Sequence, residues 1–113
     1  MSKIRWDLIP WHEVREVAEV ITLGAEKHSD YGWRDKEIED HFAAAMRHLI
    51  DWRTGGIIDE ETGKSALAHC INRLLFVMHV EKNYTSRIDI EERIRPSFVD
   101  DIFEMAKKDV DTE

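Results

Sequence analysis

Residues 64–82 read KSALAHCINRLLFVMHVEK, and this stretch decides the fold. Its apolar side chains recur at helical spacing and cover most of the circumference of a helix, which is typical of a helix buried inside a protein. We therefore expect a helix here, at the centre of a helical bundle. Its apolar residues are Leu67, Cys70, Ile71, Leu74, Leu75, Val77 and Met78.

Further helical patterns flank this stretch. Residues 11–25 follow Pro10, which suits a first helical turn, and residues 36–53 end at a Gly-Gly turn. A weaker pattern covers residues 97–107. No stretch alternates with the period of two typical of strands, so we expect one all-α domain over residues 1–113, with three core helices and a C-terminal helix. The apolar stripe predicted for the second helix is Ile38, Phe42, Ala45, Met46, Leu49 and Ile50.

The charge of the chain restricts its partners. The 113 residues include 24 acidic and 16 basic side chains, for a net charge of −8 and an isoelectric point near 5.2. Non-specific binding to a nucleic-acid polymer or to an anionic membrane requires a basic surface, so both are disfavoured. A free nucleotide stays possible, because carboxylates can hold a divalent cation that neutralises phosphates.

The cysteine content points to a reducing compartment. Cys70 is the single cysteine, so no disulfide can form within the chain, and we expect a cytoplasmic protein with Cys70 in its core. No run of residues is apolar and long enough for a membrane span. Because a helical domain of this length leaves much of its surface exposed, we expect it to complete its burial by oligomerising.

Polar residues interrupt the two most apolar helices. His48 and Asp51 are three residues apart on the second helix, and His69 and Asn72 have the same spacing on the third. Burial of such groups costs several kcal/mol unless each has a partner or a metal ion. If the helices are antiparallel, the two pairs can face each other in a polar pocket. A hydrogen-bond network between the helices is the alternative interpretation.

Acidic residues in two places are candidate metal ligands. Glu16 and Glu19 lie on the first helix, and Asp59 and Glu61 lie in the loop before the third. Carboxylates that project into a helical bundle can hold Mg²⁺, which keeps waters for substrate phosphates. The alternative for the glutamates is a solvated helix face.

Cationic and aromatic residues around the loop 27–34 form a third group. Arginine and lysine can bind phosphates, and an indole or phenol ring can stack on a base. A subunit contact is the alternative role. The residues are Lys27, Tyr31, Trp33, Arg34 and Arg47.

Five short motifs, in order, resemble those of small phage dATP/dGTP diphosphohydrolase domains of the MazZ-like type. The resemblance covers residues 5–83 and does not extend into the tail. The motifs are Arg5-Trp-Asp-Leu-Ile-Pro10, Gly24-Ala-Glu-Lys27 with Tyr31-Gly-Trp-Arg34, Arg47-His-Leu-Ile-Asp-Trp52, Asp59-Glu-Glu-Thr-Gly63, and Leu67-Ala-His69 with Asn72.

The resemblance implies a distant relationship to the all-α MazG-like nucleoside triphosphate pyrophosphatases, which release a monophosphate and pyrophosphate. That superfamily binds Mg²⁺ through carboxylates spaced i, i+3 on two helices. The corresponding pairs here are His48/Asp51 and His69/Asn72, so the spacing is kept while most carboxylates are replaced. The resemblance also implies a role in phage 2-aminoadenine DNA synthesis. Because relatives in the superfamily build their sites between protomers, it implies a homodimer or homotetramer as well.

The leading hypothesis is therefore metal-dependent hydrolysis of dGTP or dATP, with Mg²⁺ the expected ion and Mn²⁺ or Co²⁺ as alternatives. A pyrimidine or modified nucleotide as substrate, or a non-catalytic acidic protein that senses nucleotides or mimics DNA, are the alternatives. The predicted catalytic residues are His48, Asp59, Glu61, His69 and Asn72; the predicted metal ligands are Glu16, Glu19, Asp51, Asp59 and Glu61; the predicted substrate contacts are Lys27, Tyr31, Trp33, Arg34 and Arg47.

Overall fold

The computed structural model describes residues 2–83, and within them the three predicted core helices are confirmed. They are α1 (Trp11–Lys27), α2 (Ile38–Arg53) and α3 (Ala66–Glu81). Two short 3₁₀ helices, Trp6–Leu8 and Gly32–Asp35, precede α1 and α2. The described part contains no strand, only one antiparallel bridge between Ile58 and Ser65. The all-α prediction is thus correct, and the helix predicted over residues 97–107 lies outside the described residues.

Helix α3 is the central element, because it packs against both α1 and α2. The contacts between α2 and α3 pair the beginning of one helix with the end of the other. The rings of His41 and Phe76 are 5.4 Å apart, and those of His48 and His69 are 4.8 Å apart. Helices α2 and α3 are therefore antiparallel, so the histidines at positions 48 and 69 face each other as the sequence predicts.

The buried interior is made mainly of small side chains. Val17 and Val20 of α1 pack with Ala68 of α3, and Ile21 flanks them. On α2 the buried residues are Ile38, His41, Ala44 and Ala45. Small side chains let the helix axes approach closely, so polar groups of α2 and α3 come within contact distance.

The larger apolar residues are less buried than their spacing suggests. Leu49 and Ile50, both in the predicted stripe of α2, are 38% and 54% exposed. Ile38 and Ala45 of the predicted stripe are buried, and His41 and Ala44 join them on the face of α2 that meets α3. One face of α3 also stays open, since its four large apolar residues are about half exposed. They are Ile71, Leu74, Leu75 and Met78.

The connection between α2 and α3 is held by hydrogen bonds that place Asp59 next to the third helix. Gly55, with φ +110°, begins the turn after α2, in a conformation that other residues rarely adopt. The backbone N–H of Asp59 donates to Lys64 O at 2.8 Å, and the N–H of Gly63 donates to Asp59 O at 2.8 Å.

Among the described helices, none is both long and apolar enough to cross a membrane.

Candidate metal and phosphate site

Three side chains from two helices and a loop converge at one end of the α2–α3 interface. His48 of α2, Asp59 of the loop and His69 of α3 each offer a ligand atom, and these atoms lie within 4.8 Å of one another. The two imidazole rings are stacked with an interplanar angle of 28°. The distance from His69 Nε2 to Asp59 Oδ1 is 3.9 Å. We call these three residues the metal triad.

Thr62 organises the loop side of the metal triad. Its backbone N–H donates to Asp59 Oδ1 at 3.0 Å, and its hydroxyl lies 2.8 Å from His69 Nε2. Burial opposes the ionisation of Asp59. The hydrogen bonds from Thr62 and the nearby His69 outweigh this effect and lower the carboxyl pKa. Asp59 is therefore an anion near neutral pH.

His48, the member of the metal triad on α2, can act as a neutral ligand. Burial lowers the pKa of His48, and the neighbouring His69 and Arg47 lower it further, because a second positive charge is unfavourable there. A metal ion binds the unprotonated nitrogen of an imidazole. The surroundings of His48 thus favour the form that can coordinate a cation.

A cavity of about 410 Å³ opens beside the metal triad, and three cationic side chains line it. They are Lys27, Arg47 and Arg73, and the carboxylates of Asp59 and Glu61 line it as well. Lys27 and Glu61 form an ion pair with each other, and both side chains are mostly exposed. Three cationic side chains around one space suit a polyanionic group such as a triphosphate. We call this space the cationic cavity.

A second cavity of about 240 Å³ adjoins the first and is more apolar. Ile21, Trp33 and Phe76 line it, and the rings of Trp33 and Phe76 stack at 4.1 Å with an interplanar angle of 3°. Asn72 and Arg73 line both spaces. The second space, which we call the aromatic cavity, can take a flat apolar group whose polar end reaches the first.

Asn72 is the one described residue with a buried side-chain polar atom that has no hydrogen-bond partner. Its side chain is on the wall that the two cavities share, and the residue is 8% exposed. An unsatisfied buried acceptor costs about 1–3 kcal/mol. The amide oxygen of Asn72 can thus accept a hydrogen bond from a ligand donor.

Two predicted metal ligands have other partners in the structure. The Oε1 atom of Glu16 accepts from the backbone N–H of Ser65 at 2.7 Å, directly before α3. Glu19 accepts from Lys64 Nζ at 2.7 Å, and this hydrogen bond lowers the pKa of its carboxyl. Both glutamates therefore fasten α1 to the start of α3, and neither belongs to the triad.

Several other predicted site residues lie apart from the triad and the cavities. Asp51 is exposed near the end of α2, one turn beyond His48. Tyr31 is 60% exposed, and the Arg34 guanidinium lies 4.2 Å from the centre of its ring. Among the predicted substrate contacts, Lys27, Trp33 and Arg47 do line the cavities.

Sequence reasoning missed His41, Thr62 and Arg73. His41 is fully buried, and Arg73 lines both cavities. The sequence spacing of His41 and Arg73 indicates their position, because His41 lies seven residues before His48 and Arg73 lies four residues after His69. Such spacings place each new residue on the helix face of the residue already singled out.

Comparisons with known proteins identify the family of the chain. A sequence model of the family described as dATP/dGTP diphosphohydrolase, N-terminal, matches residues 1–90. A protein of Salmonella phage PMBT28 named dATP/dGTP diphosphohydrolase is 31% identical over 82 residues, which are 73% of this chain and 28% of that protein. No solved structure matches the chain significantly. The chain belongs to the dATP/dGTP diphosphohydrolase N-terminal family.

Proposed function

We propose that this protein hydrolyses dATP or dGTP to the monophosphate and pyrophosphate with the help of a divalent metal ion. The observation that carries the proposal is the metal triad, whose ligand atoms lie within 4.8 Å of one another beside a cavity with three cations. The chain spans only 28% of the phage relative, so the activity of that whole protein is an inference here.

The donor set of the triad supports a particular group of metals. Two imidazoles and one carboxylate, with room for further ligands, resemble the three-residue sets that hold catalytic transition metals. The resemblance to MazG-like enzymes favours Mg²⁺, but imidazole suits Mn²⁺, Co²⁺ or Zn²⁺ better. A bound ion would supply positive charge for the phosphate oxygens and orient the scissile bond. We therefore expect Mn²⁺ or Co²⁺ to support more activity than Mg²⁺.

The two cavities support a definite placement of the substrate. The phosphate chain occupies the cationic cavity, where Lys27 and Arg47 neutralise it. The nucleoside occupies the aromatic cavity beside Trp33, whose ring already stacks on Phe76 on one side. Asn72 lies between them and offers its unpaired oxygen to a donor of the base or sugar.

The activity is tested by incubating the full chain with each of the four dNTPs and Mg²⁺, Mn²⁺ or Co²⁺. Products are separated by anion exchange. We expect the purine nucleotides to give monophosphate and pyrophosphate in equal amounts. His69→Ala removes a triad ligand and abolishes turnover, whereas His12→Ala, an exposed histidine on α1, leaves it unchanged.

Three outcomes would contradict this proposal in different ways. Release of inorganic triphosphate would place the cleavage elsewhere in the phosphate chain. Preferential turnover of dCTP or dTTP would shift the substrate to pyrimidines. Binding of nucleotides without turnover under any metal would favour the non-catalytic sensor.

The implied role in 2-aminoadenine DNA is tested by adding the 2-aminoadenine deoxynucleotide, which we expect to be hydrolysed more slowly than dATP.

We also propose that the protein is a homo-oligomer, with the open face of α3 in the contact. Its four large apolar residues, each 44–54% exposed, support this, because water contact with them is unfavourable. Light scattering of the full chain should give the mass of a dimer or tetramer. Leu75→Glu, at the middle of the face, should shift it to the monomer, and a monomeric wild type would overturn the proposal.

A further inference from the structure

Arg73 is a partly buried cation that forms no ion pair among the described residues. Within residues 2–83, no carboxylate lies within ion-pair distance of its guanidinium. Its identified side-chain hydrogen bond is donated by Nη1 to His41 Nδ1, at 3.1 Å, and His41 is uncharged. A guanidinium carries five N–H donors, so most of its capacity is left for another acceptor.

The state of His41 follows from its two hydrogen bonds. Its Nε2 lies 2.8 Å from the carbonyl oxygen of Trp33, which can only accept, so Nε2 carries the hydrogen. Nδ1 then has a free lone pair and accepts from Arg73. Burial lowers the pKa of His41, and its relative exposure is 0%. His41 is therefore a neutral link from the Arg73 guanidinium to the backbone at Trp33.

The position of Arg73 indicates which kind of ligand it can bind. It lies where the cationic and aromatic cavities meet, and Arg47 on the cationic side repels it. Keeping like charges together is unfavourable unless an anion comes between them. Asp30 lines the aromatic cavity and Asp40 attracts Arg73 from a distance, but within residues 2–83 neither forms an ion pair with it, so a bound anion can take that role.

We propose that Arg73 binds a phosphate group, at the point where the phosphate chain of the substrate joins the nucleoside, and that His41 is a positioning residue that aims the guanidinium. The proposal rests on the proposed function for the identity of the substrate. The planar fork of arginine matches two phosphate oxygens, and a fixed orientation reduces the entropy lost on binding.

The test measures binding of inorganic pyrophosphate and of dATP to the full chain by calorimetry in EDTA, where no metal-dependent hydrolysis occurs. We expect Arg73→Gln to weaken pyrophosphate binding about 10- to 100-fold, the range for a charged hydrogen bond. Arg73→Lys keeps the charge but loses the fork, so its loss is smaller. Arg53→Gln is the matched control, because Arg53 ends α2, is exposed and lines neither cavity.

The positioning role of His41 is tested by rescue. His41→Gln offers one acceptor and one donor, so it should retain most pyrophosphate binding, whereas His41→Leu should lose about as much as Arg73→Lys. Thermal melting of both variants separates a loss of binding from a loss of folding. Equal binding by both folded variants would overturn the role of His41.

The results distinguish this proposal from the proposed function. If the wild type hydrolyses dNTPs and Arg73→Gln binds pyrophosphate normally, the role of Arg73 is wrong and the activity stands. If the wild type binds pyrophosphate through Arg73 but hydrolyses nothing with any metal, the activity is wrong and the anion site stands. A wild type that binds neither pyrophosphate nor dATP without metal would overturn the role of Arg73.

Discussion

Two histidines on the same face of α2 meet α3 in different ways. His41 is fully buried, and both of its ring nitrogens have hydrogen-bond partners, Trp33 and Arg73. His48, two turns later, is partly exposed and stacks on another basic ring, that of His69. The ring of His41 is fully hydrogen-bonded within the protein and holds the Arg73 guanidinium, while His48 offers a ligand atom within 4.8 Å of those of Asp59 and His69. The same residue type on one helix face therefore holds a neighbouring side chain at one end and offers a candidate metal ligand at the other.

The largest expected effect concerns catalysis at the His48 end. Asp59→Asn removes the negative ligand of the metal triad but keeps its shape, and we expect turnover of the best dNTP to fall at least about 100-fold. Even removing a residue that only hydrogen-bonds to a metal ligand lowers activity about 10–100-fold. Initial rates of pyrophosphate release measure this. Asp35→Asn is the control, because Asp35 is exposed at the end of the 3₁₀ helix Gly32–Asp35 and lines neither cavity, and a similar loss there would contradict the prediction.

The second prediction concerns metal binding and stability. Mn²⁺ or Co²⁺ at 100 times its dissociation constant should stabilise the wild type by about 2.7 kcal/mol, because it binds the folded chain alone. His48→Ala should abolish this gain, and His41→Gln should keep it. Chemical denaturation with and without the ion gives the difference. An equal gain in His48→Ala would place the ion away from the triad.

The third prediction concerns stability at the His41 end. His41→Leu leaves the Trp33 carbonyl and the Arg73 guanidinium without their partner, so we expect a loss of about 2 kcal/mol in the free energy of unfolding. His48→Leu should change it by less than about 0.5 kcal/mol, since that side chain is partly exposed. Urea titration of both variants provides the comparison. Similar losses would remove the contrast between the two ends.

The smallest predicted effect is a pH dependence. Burial lowers the pKa of His41 in the folded protein, while the unfolded chain keeps the ordinary value near 6.5. The contribution of His41 to the free energy of unfolding is therefore fully present above about pH 6.5. It decreases as the pH drops below that value, because the unfolded chain binds the proton first. The charged groups around His41 are Arg73, Lys36 and Asp40.

The expected loss is about 1.4 kcal/mol for each pKa unit by which folding lowers the pKa of His41. Denaturation curves between pH 7.5 and about 5 measure it. His48 also has a lowered pKa, so His41→Gln should flatten the profile only in part. A wild-type profile that rises towards acid pH would contradict the sign.

The candidate site was predictable in part. His48 and His69 are predictable because polar residues at i, i+3 spacing are costly on an apolar helix, and Asp59 because it is a carboxylate in the loop before α3; the structure brings these three together. Glu16 and Glu19 had the right chemistry but contact Ser65 and Lys64 at the start of α3. A carboxylate has many possible partners, and its sequence position does not choose among them.

The sequence by itself determined the helices, because apolar periodicity, Pro10 and the Gly55-Gly56 turn act locally along the chain. It also carried the family motifs. Only the tertiary structure decided which face of α2 meets α3, and with it the pairing of His41 with Arg73 and of His48 with His69. That choice depends on small residues such as Ala44 and Ala45 allowing close approach. It is a property of two packed surfaces and cannot be read from either helix alone.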